Sequence, residues 1–335
     1  MPELSPRYRF AALDYGTVTS RLLVADVLAG RLRTVLKQTR ITQLGEGLAA
    51  TGHLSSAACA RVVAASRDFL AELERISARR QPGDPPISVC RAVATSAMRD
   101  AENSADLLAE LSNLGIDVQV IAGEQEAALS FSGTLSGFNP AELAGRIVLV
   151  ADIGGGSTEL VAGSLDAGTG AVCIEQKTSL NIGARRITDR WLLTDPPSAA
   201  ELTAARQAIR TELQPWFSQA AASGLSCQRI IGVAGTATSL ISIREGMMVY
   251  DSERVHGSEA TVAEIEGTLD DLAALPLNQR QQVVGLEAER ASVVVGGLLI
   301  LAEIMGLVKL PVLTVSETDI LQGLILDSWQ QLISK

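Results

Sequence analysis

The chain has 335 residues, of which 47% are hydrophobic and 3% aromatic, and its 28 basic and 38 acidic residues give a formal net charge of −10. This length allows two domains with aliphatic cores, and the acidic balance argues against a nucleic-acid-binding protein, which would present a basic face. Four scattered cysteines and the lack of an apolar stretch of bilayer length favour a reduced, cytoplasmic environment without membrane contact.

The first element in chain order is a hairpin over residues 10–24. An apolar run ends at Asp14, then Gly16, Thr17 and Thr19 follow, and a second apolar run begins. Strand, glycine-containing turn and strand is the order of a β-hairpin.

Strands and helices alternate after this hairpin. The pattern predicts a strand at 35–43, a helix at 57–79, a strand at 87–94, a helix at 105–113 and a strand at 118–121. Such alternation is typical of a mixed sheet covered by helices.

Acidic residues open the next predicted helix, at residues 124–131. Acids in a first helical turn often do no more than complement the helix dipole. From its position alone, Glu126 therefore has two interpretations, a dipole partner or a catalytic carboxylate.

A second hairpin, at residues 147–161, repeats the order of the first. Asp152 ends the apolar run, three glycines and Ser157 follow, and another apolar run begins. Inward-facing turn amides can bind an anion, and an acid beside them is understandable if a divalent cation lies between acid and anion. An ordinary hairpin with a flexible turn is the alternative. A P-loop is excluded, because no Lys-Ser/Thr pair follows the glycines.

The two hairpins align as an internal repeat. When the acids are superposed, Asp14 falls on Asp152, Gly16 on Gly154 and Thr19 on Ser157. The repeat predicts two similar domains, each contributing an acid and a phosphate-binding hairpin to a shared cleft.

The remaining elements follow the second hairpin. Residues 181–186 are predicted as a turn whose adjacent Arg185 and Arg186 are either a solvated basic turn or anion contacts. Gly235 and Thr236 lie between a strand and a helix, where a helix N-terminus can meet a nucleotide or an anion. The other predicted elements are a strand at 172–179, helices at 199–222 and 291–302, a strand at 313–316 and a helix at 319–331.

Together these motifs resemble the sugar kinase/Hsp70/actin superfamily and, within it, the exopolyphosphatase/guanosine pentaphosphate phosphohydrolase (Ppx/GppA) family. The similarity extends over nearly the whole chain and corresponds to the short form without a C-terminal helical domain. The segments that carry it, in the family's order, are 94–101, 123–127, 152–161, 179–183 and 255–257.

The resemblance implies an α/β fold of two ribonuclease-H-like (actin-like ATPase) domains. Each would have a mixed sheet flanked by helices, and the active site would lie in the interdomain cleft. Domain I would span residues 1–124 and be completed by the C-terminal helix at 319–335. Domain II would span residues 125–318.

The resemblance also implies an exopolyphosphatase that releases terminal orthophosphate from inorganic polyphosphate with Mg²⁺ or Mn²⁺, and a homodimer. Glu126 would activate the attacking water, with Asp152 and Arg99 as further catalytic residues, and the metal would be surrounded by Asp14, Asp152 and Glu159. The expected phosphate contacts are Gly16, Thr17, Thr19, Arg99, Gly154, Gly155, Gly156, Ser157, Arg186, Gly235 and Thr236.

Two positions depart from the family pattern. Val18 stands where the family usually has Asn, which removes one polar phosphate contact, and Ala128 stands where an Arg often follows the catalytic Glu. Either change would reduce affinity or alter the preferred chain length. The alternatives are a guanosine pentaphosphate (pppGpp) phosphohydrolase, a kinase of the same superfamily, and a sensor that binds (p)ppGpp or nucleotides without turnover.

Overall fold

A computed structural model of the chain describes residues 7–166 and 171–334 and contains two mixed β-sheets flanked by helices. The strands of the first sheet are β1 (Tyr8–Tyr15), β2 (Thr19–Leu28), β3 (Arg31–Ile41), β4 (Ile87–Ala94) and β5 (Val118–Val120). Those of the second are β6 (Val148–Ile153), β7 (Thr158–Leu165), β8 (Val172–Leu180), β9 (Arg229–Val233), β10 (Glu259–Thr261) and β11 (Val312–Val315).

The two sheets share one topology. The first has the order β3-β2-β1-β4-β5, and the second has β8-β7-β6-β9-β11 with β10 added at the edge. In each sheet, the three strands that come first in the chain are antiparallel neighbours. The next two strands in the order run parallel to β1 in the first sheet and to β6 in the second. The hairpin repeat seen in the sequence is therefore part of a repeated sheet.

The described helices cover both faces of each sheet. In chain order they are α1 (Leu48–Thr51), α2 (Ser56–Ala78), α3 (Ser96–Asp100), α4 (Ser104–Asn113), α5 (Gly123–Leu135), α6 (Pro140–Leu143), α7 (Ala184–Trp191), α8 (Ala199–Ala222), α9 (Ala234–Arg244), α10 (Ser252–Val255), α11 (Val262–Ala274), α12 (Leu277–Arg280), α13 (Val294–Val308) and α14 (Ile320–Ile333). None of them is long and apolar enough to cross a bilayer.

Helices α5 and α14 lie between the two sheets. Leu321, Leu324 and Ile325 of α14 pack with Phe10 of the first sheet, so the C-terminal helix returns to the N-terminal half of the chain. On α5, Phe131 packs against the second sheet instead. The two helices therefore join the sheets into one body, with the strand ends that carry Asp14 and Asp152 on the same side.

The helices approach closely because glycines face each other. A Cβ added to Gly133 of α5 would lie 1.8 Å from the backbone oxygen of Asp319. A Cβ added to Gly323 of α14 would lie 2.0 Å from the backbone oxygen of Leu129. Neither position has space for a side chain, so the helix spacing depends on these glycines.

These observations confirm the predicted α/β class with two mixed sheets flanked by helices. Two local predictions are wrong. The predicted turn at 181–186 leads directly into α7, so Arg185 and Arg186 lie in its first turn. Gly235 and Thr236, predicted to lie between a strand and a helix, are inside the first turn of α9, and the change of direction after β9 falls on Ala234, whose φ of 65° is left-handed.

The helix contact gives a first prediction. Gly133→Ala should lower the free energy of unfolding by about 1–3 kcal/mol, as overpacked sites do. Gly267→Ala is a matched control, because Gly267 lies inside α11 with nothing within 4 Å of an added Cβ. It should stabilise by about 0.5–1 kcal/mol. Urea unfolding of both variants measures the difference, and equal effects would contradict this account of the contact.

Candidate active site

A cleft of about 350 Å³ lies between the two hairpins. β1 and β6 end at this cleft, and the carboxylates of Asp14 and Asp152 near their ends line it. Twelve of the residues expected at the site line the cleft, namely Asp14, Gly16, Thr17, Thr19, Glu126, Asp152, Gly154, Gly155, Gly156, Ser157, Gly235 and Thr236. The structure thus brings the two repeats together.

Asp14 is held by an arginine that the sequence analysis did not single out. Arg21 lies directly opposite Asp14 in the β1–β2 ladder, and its Nη2 and Nε donate to Asp14 Oδ2 at 2.6 and 3.0 Å. Its Nη1 donates to Asp319, which caps α14. Burial raises the pKa of Asp14 although Arg21 opposes the shift. Burial also opposes the ionisation of Asp319, but Arg21 and Lys37 lower its pKa on balance.

The other oxygen of Asp14 supports a cation site. Asp14 Oδ1 is buried and has no hydrogen-bond partner, which is costly for a carboxylate unless a cation or water binds there. No three His, Cys, Asp or Glu side chains within 7–166 and 171–334 are grouped to hold a metal alone. Mg²⁺ often binds through one or two carboxylates, with substrate oxygens and water completing its shell. Asp14 and Asp152 fit that kind of site.

Asp152 and Glu159 form the corresponding pair in the second hairpin. They are directly opposite each other in the β6–β7 ladder, so Glu159 occupies the place that Arg21 has in the first copy. Ser130 donates to Asp152 Oδ2 at 2.5 Å, and Ser179 donates to Glu159 Oε1 at 2.7 Å. Burial raises the pKa of both carboxyl groups, and Glu126 and Asp152 raise that of Glu159 further. Glu159 lies beside Asp152 on the neighbouring strand and does not line the cleft.

Glu126 enters the cleft from the first turn of α5. Arg99, at the end of α3, donates through Nη1 to Glu126 Oε2 at 2.7 Å and to the Ile121 carbonyl at 3.0 Å. Burial raises the pKa of Glu126 to about 7, although Arg99 favours the ionised form. Arg99 itself does not line the cleft, so its contact in this structure is with Glu126.

The tips of the two hairpins touch. A Cβ added to Gly155 would lie 2.5 Å from Val18 Cγ2, and one added to Gly156 would lie 2.6 Å from Thr17 Oγ1. These glycines are therefore required by the close approach of the opposite hairpin. In the described part of the chain, the Gly155 and Gly156 amides donate no backbone hydrogen bond, which leaves them able to bind an anion.

Val18 has an apolar role at this contact. It is 6% exposed and packs against Ala184 and Val293, which belong to the opposite half of the molecule. The side chain that replaces the family's Asn therefore helps to close the hairpin end of the cleft.

The other end of the cleft is formed by the first turn of α9, with Gly235 and Thr236, and by Lys37, Tyr250 and Arg290. Arg186 lies outside the cleft, in a second cavity beyond the hairpin tips. Residues missed by the sequence analysis are Arg21, Asp319 and Ser130. Of these three residues, only Arg21 could have been noticed in the sequence, because the residue opposite the hairpin acid is charged in both repeats.

Comparisons with known proteins show the family to which this chain is similar. The Ppx/GppA phosphatase family matches residues 23–332. Exopolyphosphatase 2 of Mycobacterium tuberculosis is 34% identical over 333 residues, covering 95% of this chain and 98% of that protein.

Two solved structures are also similar. An exopolyphosphatase from Cytophaga hutchinsonii superposes with a TM-score of 0.81 at 25% identity, over 96% of this chain and 98% of that one. The Ppx/GppA family member from Aquifex aeolicus superposes with a TM-score of 0.75 at 26% identity, over 97% and 99% of the two chains.

The unpartnered oxygen of Asp14 gives a second prediction. Mg²⁺ at about a hundred times its dissociation constant should stabilise the folded protein by about 2.7 kcal/mol. Asp14→Asn should lose most of this effect, because the amide supplies no negative charge. Asp68→Asn, at an exposed position on α2, should keep it. Thermal unfolding with and without Mg²⁺ measures the effect, and an equal Mg²⁺ response of the two variants would contradict the site.

Proposed function

This chain belongs to the Ppx/GppA phosphatase family, and we propose that it is an exopolyphosphatase, which hydrolyses the terminal orthophosphate from inorganic polyphosphate in a metal-dependent reaction. The observation that carries the proposal is the buried Glu126 carboxyl, which pairs with Arg99 and lines the same cleft as Asp14, Asp152 and the two hairpins. This arrangement provides a base for water beside a site for anionic oxygens.

A phosphoanhydride resists hydrolysis because its negative oxygens repel a nucleophile. The turn amides at Gly155 and Gly156 can donate to phosphate oxygens and so reduce that repulsion. Asp14 and Asp152 would hold the Mg²⁺ ion, which supplies positive charge to the phosphate oxygens when it is bound.

Glu126 performs the proton transfer in the proposed mechanism. The water oxygen forms a bond to the terminal phosphorus, the bridging P–O bond breaks, and Glu126 accepts the proton that the water loses. Arg99 fixes one carboxylate oxygen of Glu126 through the 2.7 Å hydrogen bond, so the other oxygen is free to orient water. A base whose pKa is near the working pH suits this role.

A pppGpp 5′-phosphohydrolase is a second candidate, and one observation favours it. The cleft continues past Thr236 to the half-exposed Tyr250 ring and to Arg290, where a base could stack beyond the phosphates. Relative kcat/KM on polyphosphate and on pppGpp decides between the two substrates. The homodimer and the cytoplasmic location stay predictions.

The role of Glu126 is tested by Glu126→Gln, which keeps the shape of the side chain but cannot accept a proton. Loss of a general base typically costs ~10²–10⁴ in rate. Orthophosphate release from polyphosphate measures kcat, and circular dichroism checks the fold. Glu124→Gln is the control, because Glu124 is 74% exposed in the same helical turn. A Glu126→Gln enzyme with more than about a tenth of wild-type kcat would contradict the assignment.

The raised pKa of Glu126 predicts the pH dependence. The base works only when ionised, so kcat/KM should rise with pH and level off above about 7, where burial places its pKa. Arg99 lowers that pKa, so Arg99→Gln should move the acidic limb to higher pH in addition to any loss of rate. The test is the kcat/KM profile of both enzymes, and a limb at unchanged pH would show that Arg99 and Glu126 are not coupled.

A further inference from the structure

A second cavity of about 190 Å³ lies on the far side of the hairpin tips. It shares Thr17, Gly155 and Gly156 with the cleft, so these three residues separate the two spaces. Ser96 and Asp100 of α3 also line it, and the same short helix carries Arg99 to Glu126. The second cavity is therefore next to the end of the cleft where the proposed reaction takes place.

Two arginines from the first turn of α7 give the cavity its cationic groups. Arg185 is largely buried, with 12% of its side chain exposed. It donates through Nη1 to Asp189 at 3.2 Å and through Nη2 to Gln43 Oε1 at 2.7 Å. Its Nε is buried without a hydrogen-bond partner. An unpaired buried donor of this kind is costly unless an acceptor that is absent here binds to it.

Arg186 connects the cavity to the cleft wall. Its Nε donates to the Gly156 carbonyl at 2.8 Å, and its Nη2 donates to Asp100 and, at 3.4 Å, to Ser96 Oγ. The guanidinium is thus attached to the hairpin tip on one side and to α3 on the other.

The cavity also offers an acceptor. Asp189 Oδ2 is buried without a partner, and Asp100 and Asp189 balance the charge of the two arginines. A fully ionised anion would be repelled by these acids. Orthophosphate near neutral pH carries P–OH groups as well as anionic oxygens, so it can donate to a carboxylate while it accepts from an arginine. Internal phosphates of a polyphosphate chain have no P–OH group.

We propose that this cavity is a binding and exit site for the orthophosphate product. The inference rests on the proposed function. During exohydrolysis the remaining polyphosphate occupies the cleft. The orthophosphate released at the hairpin end therefore cannot leave along the path by which the polyphosphate entered. The cavity behind Thr17, Gly155 and Gly156 gives it a separate site. An enzyme with this separate site keeps the shortened polyphosphate bound in the cleft while orthophosphate leaves.

The test is product inhibition of tripolyphosphate hydrolysis by added inorganic phosphate. A separate site predicts that inorganic phosphate lowers the maximal rate without raising KM for tripolyphosphate. Arg185→Gln removes the guanidinium and should raise the inhibition constant roughly tenfold, the loss typical of a hydrogen bond to a charged group. Its KM should change little, because Arg185 does not line the cleft.

Gln43→Ala is the matched control for Arg185→Gln. It removes the same bond to Arg185 and a bond to the Glu289 carbonyl, but it leaves the cavity arginine in place. Its inhibition constant should equal that of the wild type. A rise as large as that of Arg185→Gln would assign the effect to contacts between the two halves of the molecule, which would overturn the proposal.

A second variant changes the mouth of the cavity without touching its ion pairs. Ala49 lines the cavity and is exposed on α1. Ala49→Glu should raise the inhibition constant by adding a negative charge, and Ala49→Gln should not. Competitive inhibition by inorganic phosphate, or the same inhibition constant in every variant, would show that the cavity holds water only.

Failure of the proposed function gives a different result. In that case the wild-type enzyme releases no orthophosphate from any polyphosphate. Calorimetric titration of inorganic phosphate into the wild type, Arg185→Gln and Gln43→Ala then still tests the site. Binding that is weakened only in Arg185→Gln supports it, and binding that is equal in all three rejects it.

Discussion

The structure depends on a group of carboxyl groups that are buried together where the two sheets meet. Asp14, Asp152, Glu159 and Asp319 are each less than a tenth exposed, and Glu126 lies beside them. Burial and mutual repulsion disfavour their ionised forms. Arg21 binds Asp14 and Asp319, and Arg99 binds Glu126, so each guanidinium offsets only part of this charge. The raised pKa values of Asp14, Asp152, Glu159 and Glu126 follow from the remaining excess of acids, which also favours the proposed cation site.

The repeat explains how such a site is built. Each hairpin ends a strand with an acid at the cleft, and the ladder places a second charged residue opposite that acid. In the first copy the opposite residue is Arg21, and in the second it is Glu159. The duplicated sheets thus contribute unequal charge, with an acid–arginine pair on one side and a pair of acids on the other. Glu126, the proposed base, pairs with Arg99, which comes from α3 and belongs to neither hairpin.

Contacts across the cleft also connect the catalytic end with the product site. Val18 packs against the opposite half, Gly155 and Gly156 allow the hairpin tips to meet, and Arg186 binds a glycine carbonyl on one side and Asp100 on the other. The same tips line the cleft and the second cavity. We therefore expect a change at this wall to affect the proposed substrate cleft and the proposed product site together, whereas Arg185 and Ala49 line only the second cavity.

The sequence by itself indicated the hairpin repeat and mixed sheets covered by helices, because strand periodicity and glycine-acid spacing are local properties of the chain. The resemblance of its motifs to a family added the two-domain fold and the expected site residues, twelve of which line the cleft. For Glu126, its position in the sequence left two interpretations, a partner of the helix dipole or a catalytic carboxylate. Only the tertiary structure decided that Arg99 contacts Glu126, that Val18 closes the hairpin end, and that Arg186 lies outside the cleft. Asp319 and Ser130 could not be found from the sequence, since their importance comes from partners far away along the chain. Burial and long-range contacts set those roles, and neither has a local signature.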